Sequence, residues 1–341
     1  RMDLNDLQLG AGVPGQRGLV TLQTFAPGDQ PAGAIHLGSS YLQGRMVQVF
    51  GGSVDLVNTT IEAPKGLIRL ESTAANGAIS LKSSRLDLDV HSLADLLTPA
   101  SPEFFPGLFL VQTPLIHLRS KADLSLSEGS EIVAGQNLAP LREAVASRGE
   151  PWPEPKTIAL NDTSGNVLLE SDRAIRISNA QVRADASANL AGNVGLVARG
   201  STATDGIHID TSTLSAQGGA GSGDIRIASA GGITIKNSQL LVESGHAPSL
   251  DGTTIDFTNL SPFAGGELTL LNTALDRPIS LDNSRLEALT HTGQGPLFGL
   301  LYLPPTDRVP LPFFDGHDIG DGVFTLFDND FNPIGQFPQG R

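Results

Sequence analysis

The stretch I-T-I-K-N-S-Q-L, from Ile233 to Leu240, decides the fold. Its apolar and polar residues alternate with period two, which is the spacing of a strand, and the run is far too short for a helix. Asn237-Ser238 then suits a bend, because Asn tolerates left-handed backbone angles and Ser hydrogen-bonds the local main chain. A second short strand, Leu240-Leu241-Val242, follows. The same signature has apolar residues at offsets 0, 2 and 7 and a small polar residue at offset 4. It starts again at Ile35, Val54, Ile79, Ile175, Ile207 and Ile279, and in a form one residue longer at Ile116. Offset 4 holds Ser39, Asn58, Ser83, Ser120, Asn179, Thr211, Asn237 and Asn283.

Between copies a second piece recurs, Gly followed by an alternating pair: G-L-I-R-L-E-S from Gly66, G-N-V-L-L-E-S from Gly165 and G-D-I-R-I-A-S from Gly223. Related pieces open at Gly18, Gly107, Gly192 and Gly266, with looser ones at Gly44 and Gly322. Units that cannot bury their own apolar face must stack on their neighbours. Three short strands per turn, stacked at the strand spacing, predict an all-β fold, a parallel β-helix solenoid, with the right hand expected from the preference of parallel crossovers. Eight turns would make a rod about 40 Å long. Identical bends laid over one another place the offset-4 side chains in a column, where amides and hydroxyls can form a ladder.

Loop lengths show which corner is free to vary. From each Gly piece to the next signature the spacing stays short, whereas from signature to Gly piece it ranges from 9 to 49 residues. We therefore read one domain, 1–341, with insertions at about 89–106, 127–164, 243–265 and 289–321, all on one corner. Solenoid insertions gather on one face, often the binding face. The turns at Ile175 and Ile207 are nearly bare, so the loops should flank a saddle whose outward residues include Arg176, Arg183, His208 and Asp210. About half of the aromatics fall in the insertions, among them Phe104, Phe105, Trp152, Phe257, Phe263, Phe298, Tyr302, Phe313 and Phe314. Such rings either stack on sugars, which makes a polysaccharide groove the functional expectation, or pin the loops to the flank of the rod. Within the second insertion, L-A-P-L-R-E-A-V-A-S-R-G from Leu138 has helical spacing, a Pro suited to a first turn and a Gly suited to a stop.

Composition narrows the class. The 341 residues include 39 Gly, 14 Phe, one Trp and no Cys, with a formal charge of -14. Without Cys there are no disulfides or thiolate chemistry. An acidic chain argues against nucleic acid as a partner. No apolar run is long enough for a membrane span. The first residue is Arg, with no apolar targeting stretch behind it, which reads as a processed product or an excerpt. Histidines occur without ligand spacing, and His36, His117 and His208 all occupy offset 1, an outward strand position. Asp315, Asp318, Asp321, Asp328 and Asp330 lie close together but match no calcium-loop spacing, so they read as solvated turn residues. No catalytic residue, cofactor or metal is expected. Outward Arg176, Arg183, Arg226, Lys236 and His208 lack a compact acidic partner set in the sequence, which argues against an active site; a lyase or hydrolase on this scaffold is the enzymatic alternative.

The stretch from Gly192 to Ser244 resembles the repeats of filamentous-haemagglutinin-type exoproteins, large surface proteins of Gram-negative bacteria and cyanobacteria. The likeness is close over about three turns. It implies export across the outer membrane and a place at the extracellular cell surface, as an adhesive or structural element. It departs from that family in lacking a recognisable N-terminal secretion module and in its long insertions. The partners expected are surface glycans or other copies of the chain, joined head to tail through exposed strand edges.

Overall fold

The computed structural model describes residues 1–14, 16–25, 32–97, 103–105, 108–111, 114–135, 138–153, 164–186, 191–202, 204–218, 222–244, 266–273, 277–290, 297–302, 323–327 and 333–338. Three parallel sheets of nine strands each wind around one core, which is a parallel β-helix. The first sheet carries the signature strands, among them Ile79–Lys82, Leu124–Ser127, Ala174–Ser178, Gly206–Asp210 and Ile233–Lys236. The second carries the strands after the bend, such as Arg85–Asp87, Glu131–Val133, Gln181–Arg183 and Thr213–Gly218. The third carries most of the Gly pieces, including Leu67–Ser72, Asn166–Ser171 and Val194–Ala198, together with Leu115–Ser120.

Register is set by like residues over like. Val54, Ile79, Leu124, Ile175, Ile207 and Ile233 stack in one inward file of the first sheet. Leu42, Ile61, Leu86, Ile132 and Val182 stack in the second, and Val47, Ile68, Ile116, Val167, Val194 and Ile225 in the third. Nearly all of these side chains have no solvent exposure, and each contributes about 1.5–3 kcal/mol of apolar burial. A one-residue slip would turn a whole file outward, so the register is strongly specified. The glycines that open third-sheet strands have a steric reason. A Cβ on Gly66 would sit 1.8 Å from the Arg45 carbonyl oxygen of the coil below, and one on Gly223 would sit 1.9 Å from that of Gly192.

The rod has nine coils rather than eight, because Met2–Asn5 pairs with Ile35–Gly38 and continues the first sheet. Two sequence assignments are corrected. The copy at Ile116 belongs to the third sheet, where Ile116 pairs with Ile68, and the first-sheet strand of that coil is Leu124–Ser127. The real bend there carries one extra residue, Glu128 followed by Gly129 at φ +80°, which disguises the spacing. The piece at Gly107 is no coil either: Leu108–Val111 forms an antiparallel hairpin with Glu103–Phe105. Val323–Phe327, after Gly322, likewise pairs antiparallel with Pro333–Pro338, and Leu297–Tyr302 is the ninth strand of the third sheet.

Long segments do leave from the corner between the second and third sheets, at residues 88–114, 134–165 and 245–266. The expected insertion 127–164 starts later, because Glu131–Val133 is a sheet strand, and the expected 289–321 is interrupted by Leu297–Tyr302. The helix read at Leu138 is present as α2, Ala139–Ser147, with Pro in its first turn and Gly149 at φ +68° after it. A shorter helix, α1, spans Leu93–Leu97. Together the two insertions build a small satellite core of Val90, Leu96, Leu138, Leu141 and Val145, against which Leu93 and Trp152 pack.

The bend shows why offset 4 is special. Asp6, Ser39, Asn58, Ser83, Glu128, Asn179, Thr211, Asn237 and Asn283 all adopt φ between 44° and 57°. This left-handed region is open at low cost only to Gly, Asn and Asp. The ladder, however, runs one residue later. The Ser84 hydroxyl accepts from the Thr59 N–H at 3.1 Å and donates to the Lys82 carbonyl at 2.8 Å. Ser40, Thr59, Ser130, Ser212, Ser238 and Ser284 occupy the same position, each accepting from the coil below. Among offset-4 side chains the Asn283 amide donates to Asn237 Oδ1 at 2.9 Å, and the Asn237 amide donates to Asp210 Oδ1 at 3.4 Å.

Candidate functional site

Alternation in the first sheet turns Arg176, His208 and Asp210 outward while Ile175, Ile177, Ile207 and Ile209 fill the core. Arg176 and His208 lie side by side in register, as do Ser178 and Asp210. The connection from the third sheet brings Arg173 to the same place. The Arg173 and Arg176 side chains are 51% and 42% exposed, enough to meet a ligand. Each stands 3.8 Å from Asp123, and Arg173 is 3.5 Å from the buried Asp205. Arg176 also donates to the Thr204 carbonyl at 2.8 Å. Asp205 accepts from the N–H and hydroxyl of Thr202, which fixes the loop beside the arginines. Burial and the neighbouring Arg176 push the His208 imidazole below its ordinary value, so it is neutral near pH 7 and adds no charge to the patch. Asp210 accepts from Thr211 and Asn237 at the exposed bend.

Arg183 is not part of this patch. It lies on the second sheet, around the bend, among carboxylates that the sequence did not bring together. Arg85 pairs with Asp87 at 2.7 Å and with Glu131, and His91 reaches Asp87 at 3.2 Å. Burial raises the Asp87 carboxyl, but His91, Arg85 and the Asp89 N–H outweigh it and leave it below the ordinary range. Asp89 has no such help. Burial and the Asp87 charge push it up to about 8, against His91, Arg85 and Arg183. Its Oδ1 and the Arg183 Nε are buried without hydrogen-bond partners. Asp185 is also raised by burial, although the Gln217 N–H and the Ser215 hydroxyl donate to it. The signal for this cluster was weak, since Asp89 and Asp185 lie outside the repeating signature and become neighbours only through coil stacking.

The third sheet carries a third polar array. His117, placed there rather than on the signature face, meets Glu170 at 2.7 Å, and Arg199 meets the other Glu170 oxygen at 2.6 Å. On the same sheet Arg226 pairs with Asp224 at 2.9 Å, and the Arg69 guanidinium stands 5.3 Å from the centroid of the Phe50 ring.

Among the described residues no group of three or more His, Asp or Glu is arranged to hold a metal ion, and no helix is long and apolar enough to cross a membrane. Trp152 packs on the satellite core, which is the loop-pinning role of an insertion aromatic. The side chains of Phe104, Phe105, Phe298 and Tyr302 lie outside the described residues, as do Phe257, Phe263, Phe313, Phe314 and the cluster Asp315, Asp318, Asp321, Asp328 and Asp330. Comparison with protein-family profiles, with curated proteins and with solved structures returns no match.

Proposed function

We propose that the chain is a non-catalytic structural or adhesive rod of the extracellular surface that holds anionic polysaccharide on its first sheet. The observation that carries this reading is the pair Arg173 and Arg176, half-exposed side by side, with long ion pairs to Asp123 and Asp205 and one bond from Arg176 to the Thr204 carbonyl. Guanidinium groups present planar forks that match carboxylates, so uronate-bearing glycans are the ligand class. Exposed ion pairs such as those to Asp123 contribute little to stability, and each guanidinium carries more N–H donors than these contacts use, so both arginines keep donors for an incoming carboxylate. The resemblance to filamentous-haemagglutinin-type exoproteins supports the surface location.

Titration of the protein with polygalacturonate and with a neutral glucan tests this. The acidic polymer should bind, binding should weaken as salt is added, and the double substitution Arg173→Ala with Arg176→Ala should cost at least about tenfold, the effect of roughly 1.4 kcal/mol. Equal binding by the double variant, or equal binding of both polymers, would overturn the reading.

A second reading rests on the coil ends. The inward-facing Leu281 is 45% exposed in the last first-sheet strand, and Leu9 and Leu19 of the first coil are 36% and 52% exposed. Head-to-tail contact between copies would cover these residues, and a strictly monomeric species at high concentration in sedimentation would remove this reading.

A further inference from the structure

Residues 87–90 step from the rod into the satellite core in four positions. Asp87 ends a second-sheet strand, Leu88 is buried in the rod core and Val90 in the satellite core. Asp89, 7% exposed, is held between the two with one carboxyl oxygen unpartnered. A charged carboxylate in such a place carries a desolvation cost that a neutral one avoids. We propose that Asp89 is the latch of a pH-released flap: neutral, it lets the body formed by residues 90–97 and 138–153 stay docked on the rod, and charged, it lets that body swing away.

The charges facing Asp89 are accounted for on each element packed against it. The second sheet supplies Arg85, Asp87 and Arg183, with Glu62 and Asp185 nearby in the same array, and the chain leading to α1 supplies His91. The satellite body is otherwise tied by direct contacts to the rod. Arg17 grips Asp95 through two bonds of 3.1 and 2.9 Å, and the Lys65 ammonium donates to the Leu96 carbonyl at 2.6 Å. Helix α2 contributes Leu138, Leu141 and Val145 to the contact and turns Glu143 to solvent. These ties act as a hinge, so release of the latch frees the flap without parting it from the rod.

The direction follows from linkage. Asp89 binds its proton more tightly in the docked state, from an ordinary 3.8 to about 8, so docking is strongest in acid and weakens as pH rises across that interval. Asp185, raised by burial, acts in the same direction. His91, raised by its bond to Asp87, contributes docking that is complete below its ordinary 6.5 and is lost as pH rises through its docked value. Asp87, lowered, acts oppositely, but only in the acid range near its ordinary 3.8.

The experiment is amide exchange on the whole chain between pH 5 and 9, corrected for intrinsic chemistry. Protection of residues 139–147 should fall by up to about tenfold per pH unit, the slope of one proton, while the sheet strands and the tied residues 93–97 stay protected. Asp89→Asn, neutral at every pH, should keep the flap protected and flatten the slope. An unchanged slope in that variant, or a flap unprotected at every pH, would overturn the proposal. The unsubstituted protein gives a second readout through its single tryptophan, Trp152. Its emission should move to the red over the same interval, and a constant emission would equally overturn the latch.

Discussion

Ser84 illustrates how one hydroxyl serves two coils. It accepts from the buried N–H of Thr59 and donates to the carbonyl of Lys82, which the Asn58 N–H also reaches. Ser84→Ala should therefore destabilise the rod by about 1–3 kcal/mol, the cost of a buried group left unmade, measured by denaturant unfolding. Ala180 stands where the hydroxyl file lapses, and Ala180→Ser should gain nothing, because the Ser130 N–H is already bonded to Ser127 at 3.1 Å. A gain above 0.5 kcal/mol (a threshold of roughly the scatter of surface substitutions) would show that the file had room to extend. At this scale the sequence was half legible. Offset 4 announced a left-handed bend through its Asn residues, and all those bends are left-handed. The ladder was assigned one residue early, because Ser and Asn fill both bend positions and only the backbone angle decides which side chain turns in.

Among elements, the ion pairs of Glu170 join three successive coils, through His117 below and Arg199 above. Burial raises this carboxyl, but the two hydrogen bonds reverse that and hold it at about 2. A lowered folded value means stability that is present above the ordinary 4.5 and is lost as pH falls toward 2. That shift corresponds to about 3 kcal/mol. Glu170→Gln should remove this part of the acid sensitivity, seen as a smaller drop in unfolding midpoint between pH 5 and pH 3. Sequence reading placed His117 on the wrong sheet, since I-H-L-R-S satisfies the signature while the true strand, Leu124–Ser127, leads into a bend lengthened by Gly129. Helix α2 was legible because its Pro and Gly lie at the ends that helix geometry demands. The carboxylates at Asp89 and Asp185 were not, as nothing in linear spacing pairs positions that meet only across stacked coils.

For the whole molecule, the repeat made the architecture plain, and the insertion corner followed from loop length alone. Arg176 and His208 were grouped correctly because alternation and stacking are both periodic. Arg183 was misgrouped because a linear reading does not show the bend that separates the first sheet from the second. Arg176 stands on a strand, which fixes it more firmly than a loop would, whereas Arg173 sits in the connection just before that strand.

The bonds that join one coil to the next all run along the rod, so a pull on its two ends strains every bond at one level together. Levels share the load in series, and the level with the least to hold it fails first. That level lies between Leu124–Ser127 and Ala174–Ser178, where Glu128 and Gly129 lengthen the bend and Ala180 interrupts the hydroxyl file. Stretched in an optical trap with a handle at each end, the protein should part there first, leaving two folded segments of unequal length joined by the extended chain between them. Filling Ala180 would not strengthen this seam, whereas shortening the bend by removal of Gly129 would shift the breaking point elsewhere.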